Sequence, residues 1–508
     1  MHYKDIKAQI RKQLKTNYPN WKRLNQKEKK PIAKMVLDEV VKNYDFSRQV
    51  KTPLAELLGI EKQLPTAGIM DLAAMERFIE AHQNSVLFKL NRNKRHPLHI
   101  KDKELAIIDD ILDDQIINKL LSYDGYSPAM RDLFPGNFLR AELLKAIKYP
   151  EISYRKFCGD DKAYRGHKDN SGYIGMDNKQ NRAFIGLPLN RKQMISHVQM
   201  SQFRASLTFT QLVNMTVYII YHLGQYGFLD GPVLHCVDSS ELAVDCQRLL
   251  ATMTIKGQKI RIYNDVDCDC GTRRQKRDKS IYVVGYRLHT LTAINARTGH
   301  SIPLISLLAP ANHHDSHFLS PLVRLAKAMG LELKLITADE AYHDNDSVLF
   351  EENGVYLVRP PSSKVTLPEN VDGETMQVKF DEQCEIPMQY IGIEENGHEF
   401  KCSAEPGQCP RAGICPQFRH IAFDSGCFQR LLYGSEAVLK ALDIRKNGER
   451  PFNLLKKREG LEQVRVRSQQ GLVAKSTFTT MATLLLEIAG TRRKKKAGQI
   501  QMKLLDAA

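Results

Sequence analysis

The chain has few of the features that mark secreted, membrane-spanning or disulfide-linked proteins. No apolar run reaches the roughly 20 residues that cross a membrane, and the longest candidate, 213–223, is short and interrupted by polar residues. The N-terminus, MHYKDIKAQIRKQLK, lacks the apolar centre of a secretory signal. The ten cysteines of the 508 residues are scattered without a compact framework, which is typical of a reducing compartment. We therefore expect a cytoplasmic protein without membrane contact.

Basic residues are present in excess. The formal net charge is +16, and a hydrophobic content of 42% with 26% charged residues is typical of a soluble globular chain long enough for several domains. Residues 1–50 carry 13 Lys and Arg against 5 Asp and Glu, and a second basic cluster spans 492–496. Such patches attract phosphate backbones because neutralised phosphates release counterions. The alternative is an ordinary solvated surface.

The chain before residue 231 is predicted to be helical. Apolar residues recur with helical spacing at 24–46 and at 69–81. Trp21 lies among lysines, which suits a DNA-contacting helix or a small core, and we prefer the core. We divide this part into a basic N-terminal region that is a candidate for DNA binding, 1–95, and a second helical region, 96–230.

Residues 231–360 change to short apolar strands separated by polar turns. Three strands come first, with ARTGH as a hairpin turn between the second and the third. A helix, a strand ending near Asp339, another helix and the strand VYLVRPP follow. Three strands followed by a helix-linked pair predict an α/β arrangement with a mixed sheet.

Two of these strands, VLHCVD and LKLITAD, have the same form. Each is an apolar run that carries an aspartate at its carboxyl end, Asp238 in the first and Asp339 in the second. Neighbouring strands would place the two carboxylates side by side, at the sheet edge where ligands gather in open α/β sheets. Paired carboxylates repel unless a cation joins them, and oxygen ligands suit Mg²⁺. The alternative is that both aspartates cap turns or helices.

The stretch 444–460, IRKNGERPFNLLKKREG, places one acidic residue, Glu449, among many bases. On a helix, offsets of four and seven would bring Arg445 and Lys456 to the face of Glu449. Gly448 and Pro451 indicate that a helix begins or kinks there. The alternative is a basic amphipathic helix with one glutamate.

More than a hundred residues separate Asp339 from Glu449, and 361–430 is predicted to be an insertion. Residues 431–490 would return to the core, and 491–508 would be a basic tail. The spacing of three cysteines suggests a Zn²⁺ site with Cys427 or a histidine as fourth ligand, although no CxxC pair is present. The alternative is a set of free cysteines. The candidate ligands are Cys402, Cys409, Cys415 and Cys427.

Together these motifs resemble the DDE transposases of bacterial insertion sequences, over roughly residues 196–490. Asp238 in HCVDSSEL, Asp339 in ITADEAYHD and Glu449 correspond to the family's acidic triad. PANHHD, which ends at Asp315, resembles the family's Ala-Asn-x-x-Asp. Within the subgroup with a Tyr-x2-Arg-x3-Glu-x6-Lys signature, the arginine, glutamate and lysine spacings match, whereas Leu442 occupies the tyrosine position.

The resemblance implies an RNase H-like α/β catalytic domain with a mixed sheet, preceded by helical regions and interrupted by the insertion. It further implies that Asp238, Asp339 and Glu449 hold two Mg²⁺ ions for phosphoryl transfer, while Arg445 and Lys456 bind the DNA backbone. The implied partners are the terminal inverted repeats of the element, target DNA and a second copy of the chain in a homodimeric synaptic complex. A structure-selective nuclease on the same fold and a non-catalytic DNA-binding relic remain alternatives.

Overall fold

The protein has a mixed α/β fold built on a curled mixed sheet. Its structure is a computed structural model that describes residues 2–64, 66–83, 99–121, 133–159, 168–169, 172–189, 195–229, 231–244, 248–274, 280–362, 366–372, 377–405, 407–411, 415–424, 426–458, 460–461, 466 and 468–505.

The chain before residue 231 is mainly helical, as the sequence predicts. Several helices begin at side-chain caps: Asn25 and Glu28 form a capping box at the second helix, and Thr208 and Gln211 form one at the last. The elements are α1 (His2–Asn17), α2 (Gln26–Lys42), α3 (Leu54–Leu58), α4 (Leu72–Gln83), α5 (Lys103–Ile111), α6 (Asp114–Leu120), α7 (Pro135–Lys148), α8 (Tyr154–Cys158), the short ladder of β1 (Lys168–Asp169) with β2 (Gly172–Tyr173), α9 (Lys179–Ile185), α10 (His197–Ser206) and α11 (Phe209–Gln225).

The main sheet follows. Four of its strands come first, one more than the sequence predicts, and the predicted helix-linked pair comes after them. Its principal elements are β3 (Val233–Ala243), the hairpin of β4 (Leu249–Ile255) and β5 (Gln258–Tyr263) beside the sheet, β6 (Asp269–Arg274), β7 (Ser280–Asn295), β8 (Ser301–Pro310), α12 (Leu319–Ala328), β9 (Leu335–Thr337), α13 (Asp346–Asn353) and β10 (Tyr356–Val358).

The strand order positions the candidate site. It runs β10-β9-β3-β7, and the far edge of β7 pairs with β6 along its first half and with β8 along its second half. Strand β3 is antiparallel to β7 and parallel to β9, and β9 is parallel to β10. The predicted mixed sheet is therefore confirmed, with β3 at its centre.

The region predicted as an insertion forms a small antiparallel sheet of its own. Its strands are β11 (Met388–Glu394), β12 (Gly397–Cys402) and β13 (Phe418–Ala422), with β12 in the middle. Phe400 and Phe428 lie in a separate apolar cluster under this sheet. The chain then returns to the main body through α14 (Glu436–Arg445), α15 (Arg450–Asn453) and α16 (Gln469–Leu505).

Helix α16 is the central helix of the main core. It packs against α5, α7, α10 and α11 on the helical side and against β8 on the sheet side. Two of its buried threonines donate their hydroxyls to the helix's own carbonyls, Thr479 to Lys475 at 3.0 Å and Thr483 to Thr479 at 3.1 Å, which offsets the cost of burying them. The buried hydroxyl of Thr480 has no hydrogen-bond partner within the described residues. One apolar cluster consequently joins the predicted 96–230 region to the sheet.

Segment 469–490 of α16 is long and apolar enough to cross a membrane, and no other helix among the described ranges meets that test. The expectation that 213–223 is the longest apolar candidate was therefore wrong. Because 89% of the segment is buried inside the protein, it has the burial of a core helix. The predicted tail from residue 491 continues this helix to Leu505.

The basic N-terminal helices pack on the hairpin of β4 and β5. Trp21 is buried in a cluster that also contains Ile260 and Ile262, so the preference for a core tryptophan is confirmed. Its Nε1 donates to the Asn264 carbonyl at 3.2 Å, and Lys7 forms a buried ion pair with Asp269. The N-terminal region is therefore docked on the sheet domain.

Candidate active site

Strand pairing brings the two predicted aspartates together. His235 and Cys236 of β3 pair in parallel with Ile336 and Thr337 of β9. Asp339 follows the end of β9 by two residues, whereas Asp238 lies in the middle of β3, which continues to Ala243. The charge of Asp339 acts on Asp238, so the two carboxylates lie within electrostatic range of one another.

The two carboxylates are partly buried and repel one another. Burial raises the pKa of Asp238 from 3.8 to about 6, and the charges of Asp339 and Glu449 add to this rise. The backbone N–H of Ser239, 2.7 Å from the Asp238 Oδ1, and the guanidinium of Arg445 act in the opposite direction. A divalent cation would relieve both the burial cost and the repulsion.

Asp339 has the same electrostatic character. Burial raises its pKa, Arg445 opposes that rise, and the charge of Asp315 adds to it. Its Oδ1 accepts a hydrogen bond from the N–H of Ala341 at 3.0 Å, which orients the carboxylate at the end of β9. The arginine therefore acts on both aspartates.

Arg445 and Glu449 reach the aspartates through a tight turn on the sheet. Helix α14 ends at Arg445, and a 3-10 turn covers Lys446–Glu449. Gly448 lies directly on β3, where an added Cβ would stand 2.7 Å from the Cys236 Sγ. A larger residue would force Cys236 or the turn to shift, and the turn holds Glu449 within electrostatic range of Asp238.

The three acidic residues differ in exposure. Glu449 is exposed at the surface, whereas Asp238 and Asp339 are partly buried. The Nε of Arg445 is buried and has no hydrogen-bond partner within the described part of the chain. A buried cationic donor beside two carboxylates is suited to an anionic group that approaches them.

Lys456 lies in different surroundings. The regular helix that the spacing argument assumed is replaced by the 3-10 turn, by α15 and by a π-helical turn over Leu454–Arg458. As predicted from Gly448 and Pro451, the helix is interrupted there. Lys456 lines a cavity formed with α7, α8, α10 and α16. Offsets of four and seven therefore do not describe one helical face in this segment.

A charged cluster beside Asp339 was not predicted as part of the site. Arg287 on β7 binds Asp315 at 2.8 Å and Glu241 at 3.4 Å. His289 stacks on the ring of Phe318, and burial lowers its pKa to about 3, so it is neutral. The sequence contained one signal for this cluster, since Asp315 ends the PANHHD motif.

The donors fit Mg²⁺ in chemistry, because Asp238 and Asp339 supply hard oxygen ligands and leave room for water and substrate. Within the described residues, however, no group of three His, Cys, Asp or Glu side chains is arranged to hold a metal ion. The aspartate pair would be the principal ligands, and Glu449 would complete the set from the adjoining turn.

The candidate zinc ligands are all free cysteines, each partly buried. Cys402 ends β12, and its N–H donates to the Gln417 carbonyl at 2.7 Å, while Cys427 packs against the apolar cluster of the small sheet. No three of them are gathered around a common point within the described residues. The zinc site stays a prediction.

Leu442, at the tyrosine position of the resembled signature, packs against an apolar cluster that contains Val438 and Val358. It therefore supports α14 on the sheet and offers no polar group to a ligand. Comparison with protein-family models and with curated proteins finds no match for this chain. The interpretation of the site consequently depends on the geometry of these residues.

Proposed function

We propose that the protein is a DDE-type DNA transposase with an RNase H-like catalytic domain, which cleaves and joins the ends of its own mobile element. The observation that supports the proposal is the parallel pairing of β3 with β9 together with the electrostatic effect of Asp339 on Asp238. Arg445 and Glu449 approach this pair from the turn that packs on β3.

The electrostatics support phosphoryl-transfer chemistry in particular. A partly buried carboxylate pair with raised pKa values is costly without a cation, and such groups concentrate at functional sites. When bound, two Mg²⁺ ions would activate water or a 3′-hydroxyl and stabilise the leaving oxygen. The aspartates would supply the ligands for these ions, with Glu449 as the third carboxylate.

The guanidinium of Arg445 would orient the DNA. The Arg445 side chain is partly exposed, and a guanidinium binds phosphate through two parallel N–H donors. Exposed cations on the N-terminal helices would add affinity that is independent of sequence. They include Lys12 on α1, Lys27, Lys30, Lys34 and Lys42 on α2, and Lys22 and Arg23 between these two helices.

The test is single-turnover cleavage of a labelled duplex taken from the DNA that flanks the gene, where imperfect inverted repeats would mark the element's ends. We expect Mg²⁺-dependent cleavage by the native protein and joining of the new 3′-hydroxyl to target DNA. Asp339→Asn should abolish cleavage and leave end binding largely intact, since DNA affinity comes from cations.

Arg445→Ala and Lys446→Ala form a matched pair for the second arm. Both residues lie at the end of α14, but Lys446 is exposed and pairs with Asp443 at 2.7 Å. We expect a large loss of cleavage for Arg445→Ala alone. Normal cleavage by Asp339→Asn would refute the assignment. Cleavage without joining would identify a nuclease, and binding without cleavage would identify a non-catalytic DNA-binding protein.

A further inference from the structure

A basic cavity of about 600 Å³ lies on the helical side of the protein, away from the aspartate pair. Its walls come from α7, α8, α10 and α16 and from the chain around Lys456 and Gly460. Among its described lining residues, one carboxylate, Glu151, faces a surplus of cationic side chains. The cationic and imidazole groups are Lys145, Arg155, His197, Arg204, Lys456 and Lys475.

Three of these cations surround one aromatic ring. The Arg204 guanidinium lies 4.2 Å from the centre of the Tyr154 ring, Lys145 Nζ lies 5.4 Å from it, and Lys475 Nζ lies 5.9 Å from it. Arg204 also forms a buried ion pair with Glu142, which accepts the Tyr154 hydroxyl at 2.6 Å. The buried carboxylate of Glu142 is therefore already bound by Arg204 and Tyr154.

The two lysines repel one another inside the protein. Lys145 and Lys475 are almost fully buried. Burial and the charge of Lys475 together lower the pKa of Lys145 to about 7, although the charges of Glu142 and Glu151 act in the opposite direction. Lys145 Nζ donates to the carbonyls of Tyr149 and Pro150, which are neutral acceptors. Holding like charges together costs folding free energy, and a bound anion would recover it.

We propose that this cavity is a binding site for a phosphorylated nucleotide, with the phosphoryl group between Lys145, Lys475 and Arg155. The volume lies within the range of about 300–1,000 Å³ that is typical of small-molecule sites, so it is large enough for a nucleotide. The nucleotide is either the end of a DNA strand or a free nucleotide, and both present the same phosphoryl chemistry.

The site is independent of the proposed phosphoryl-transfer chemistry, because its lining residues include none of the residues around Asp238. Its test is equilibrium binding by the full chain without divalent metal, measured by isothermal titration calorimetry at low salt. The probes are deoxyadenosine 5′-monophosphate, deoxyadenosine, inorganic phosphate, and a six-nucleotide DNA strand with a 5′-phosphate or a 5′-hydroxyl.

We expect one site per chain for the monophosphate, and at least tenfold weaker binding of deoxyadenosine and inorganic phosphate. Lys475→Gln and Arg155→Gln should each weaken monophosphate binding at least tenfold. Arg155 is exposed at the rim, so its variant tests the site even if replacement of the buried lysine impairs folding. Lys156→Gln, which changes the next residue of α8 outside the cavity lining, should bind normally.

Asp339→Asn should also bind normally, which separates this site from the catalytic proposal. Binding of the strand that is at least tenfold tighter with a 5′-phosphate than with a 5′-hydroxyl, and that is lost in Arg155→Gln, would identify a DNA end as the ligand. Equal binding of the two strands, with monophosphate binding that depends on Arg155, would identify a free nucleotide. Equal binding of deoxyadenosine and its monophosphate, equal losses in Lys156→Gln and Arg155→Gln, or no binding of any phosphorylated probe would overturn the inference.

Discussion

Replacement of Asp238 by asparagine should stabilise the protein at neutral pH while removing its activity. The fold raises the pKa of this carboxyl from 3.8 to about 6. The folded protein therefore binds more protons than the unfolded chain across this interval. The stability contributed by the neutral acid is fully present below pH 3.8 and is lost as pH rises through about 6.

The magnitude follows from the shift. About two pKa units at about 1.4 kcal/mol each amount to a cost of up to about 3 kcal/mol for the charged carboxylate at pH 8. Asparagine avoids this cost and keeps an Oδ1 that accepts the Ser239 N–H. Asp238→Asn should therefore raise the free energy of unfolding at pH 8, and the gain should shrink continuously as pH falls toward 4.

The assay is urea unfolding of the native protein and the variant between pH 4 and pH 8, without divalent metal. Asp443→Asn is the control, because this aspartate is 74% exposed on α14 and should show no comparable gain. Added Mg²⁺ should narrow the difference by stabilising only the native protein. A variant less stable than the native protein at pH 8, or a gain independent of pH, would refute the electrostatic reasoning.

Three further results are expected. Gly448→Ala should lose cleavage and lower the free energy of unfolding by about 1–3 kcal/mol, because the alanine Cβ would meet the Cys236 Sγ. Gly224→Ala is the control, since its Cβ would meet no atom within 4 Å, and equal melting temperatures for the two variants would contradict the prediction. Deleting residues 1–46 should lower the melting temperature and expose the apolar face of the β4–β5 hairpin to a hydrophobic dye, and an unchanged melting temperature would show that the docking contributes little. Metal analysis of protein prepared without chelator should find about one zinc if the cysteine prediction is right, and it should be lost in a triple serine variant of Cys402, Cys409 and Cys415.

Local patterning predicted the elements of the sheet well. Apolar runs bounded by polar turns marked β3, β7, β8 and β10, and the aspartates that follow two apolar runs marked the candidate site before any pairing was known. These predictions depend on the period of a strand and on turn chemistry, both of which act between neighbouring residues. The prediction that Asp238 ends its strand was wrong, because β3 continues to Ala243 and Asp238 pairs with Thr290 in the middle of the ladder. The sequence analysis did not predict the hairpin of β4 and β5. Its turn contains Lys256 and Gly257, which both have the positive φ of a tight hairpin turn in the structure.

The helical spacing of the Glu449 segment did not predict where Lys456 lies. The sequence indicated an interruption at Gly448 and Pro451, but an offset of seven has meaning only along a regular helix. The chain instead passes through a 3-10 turn and a π-helical turn. Arg445 consequently faces the aspartates, whereas Lys456 faces the basic cavity.

By itself, the sequence determined the helical first part and the mixed sheet and nominated the candidate acidic residues, because these follow from local periodicity and residue chemistry. Only the tertiary structure decided that β3 pairs with β9 and that Asp238 and Asp339 lie within electrostatic range of one another. It also decided that α1 and α2 dock on a distant hairpin, and that Lys145 and Lys475 meet in one cavity. Such contacts join residues far apart in the chain, and burial of apolar surface selects among the many arrangements that local patterning permits.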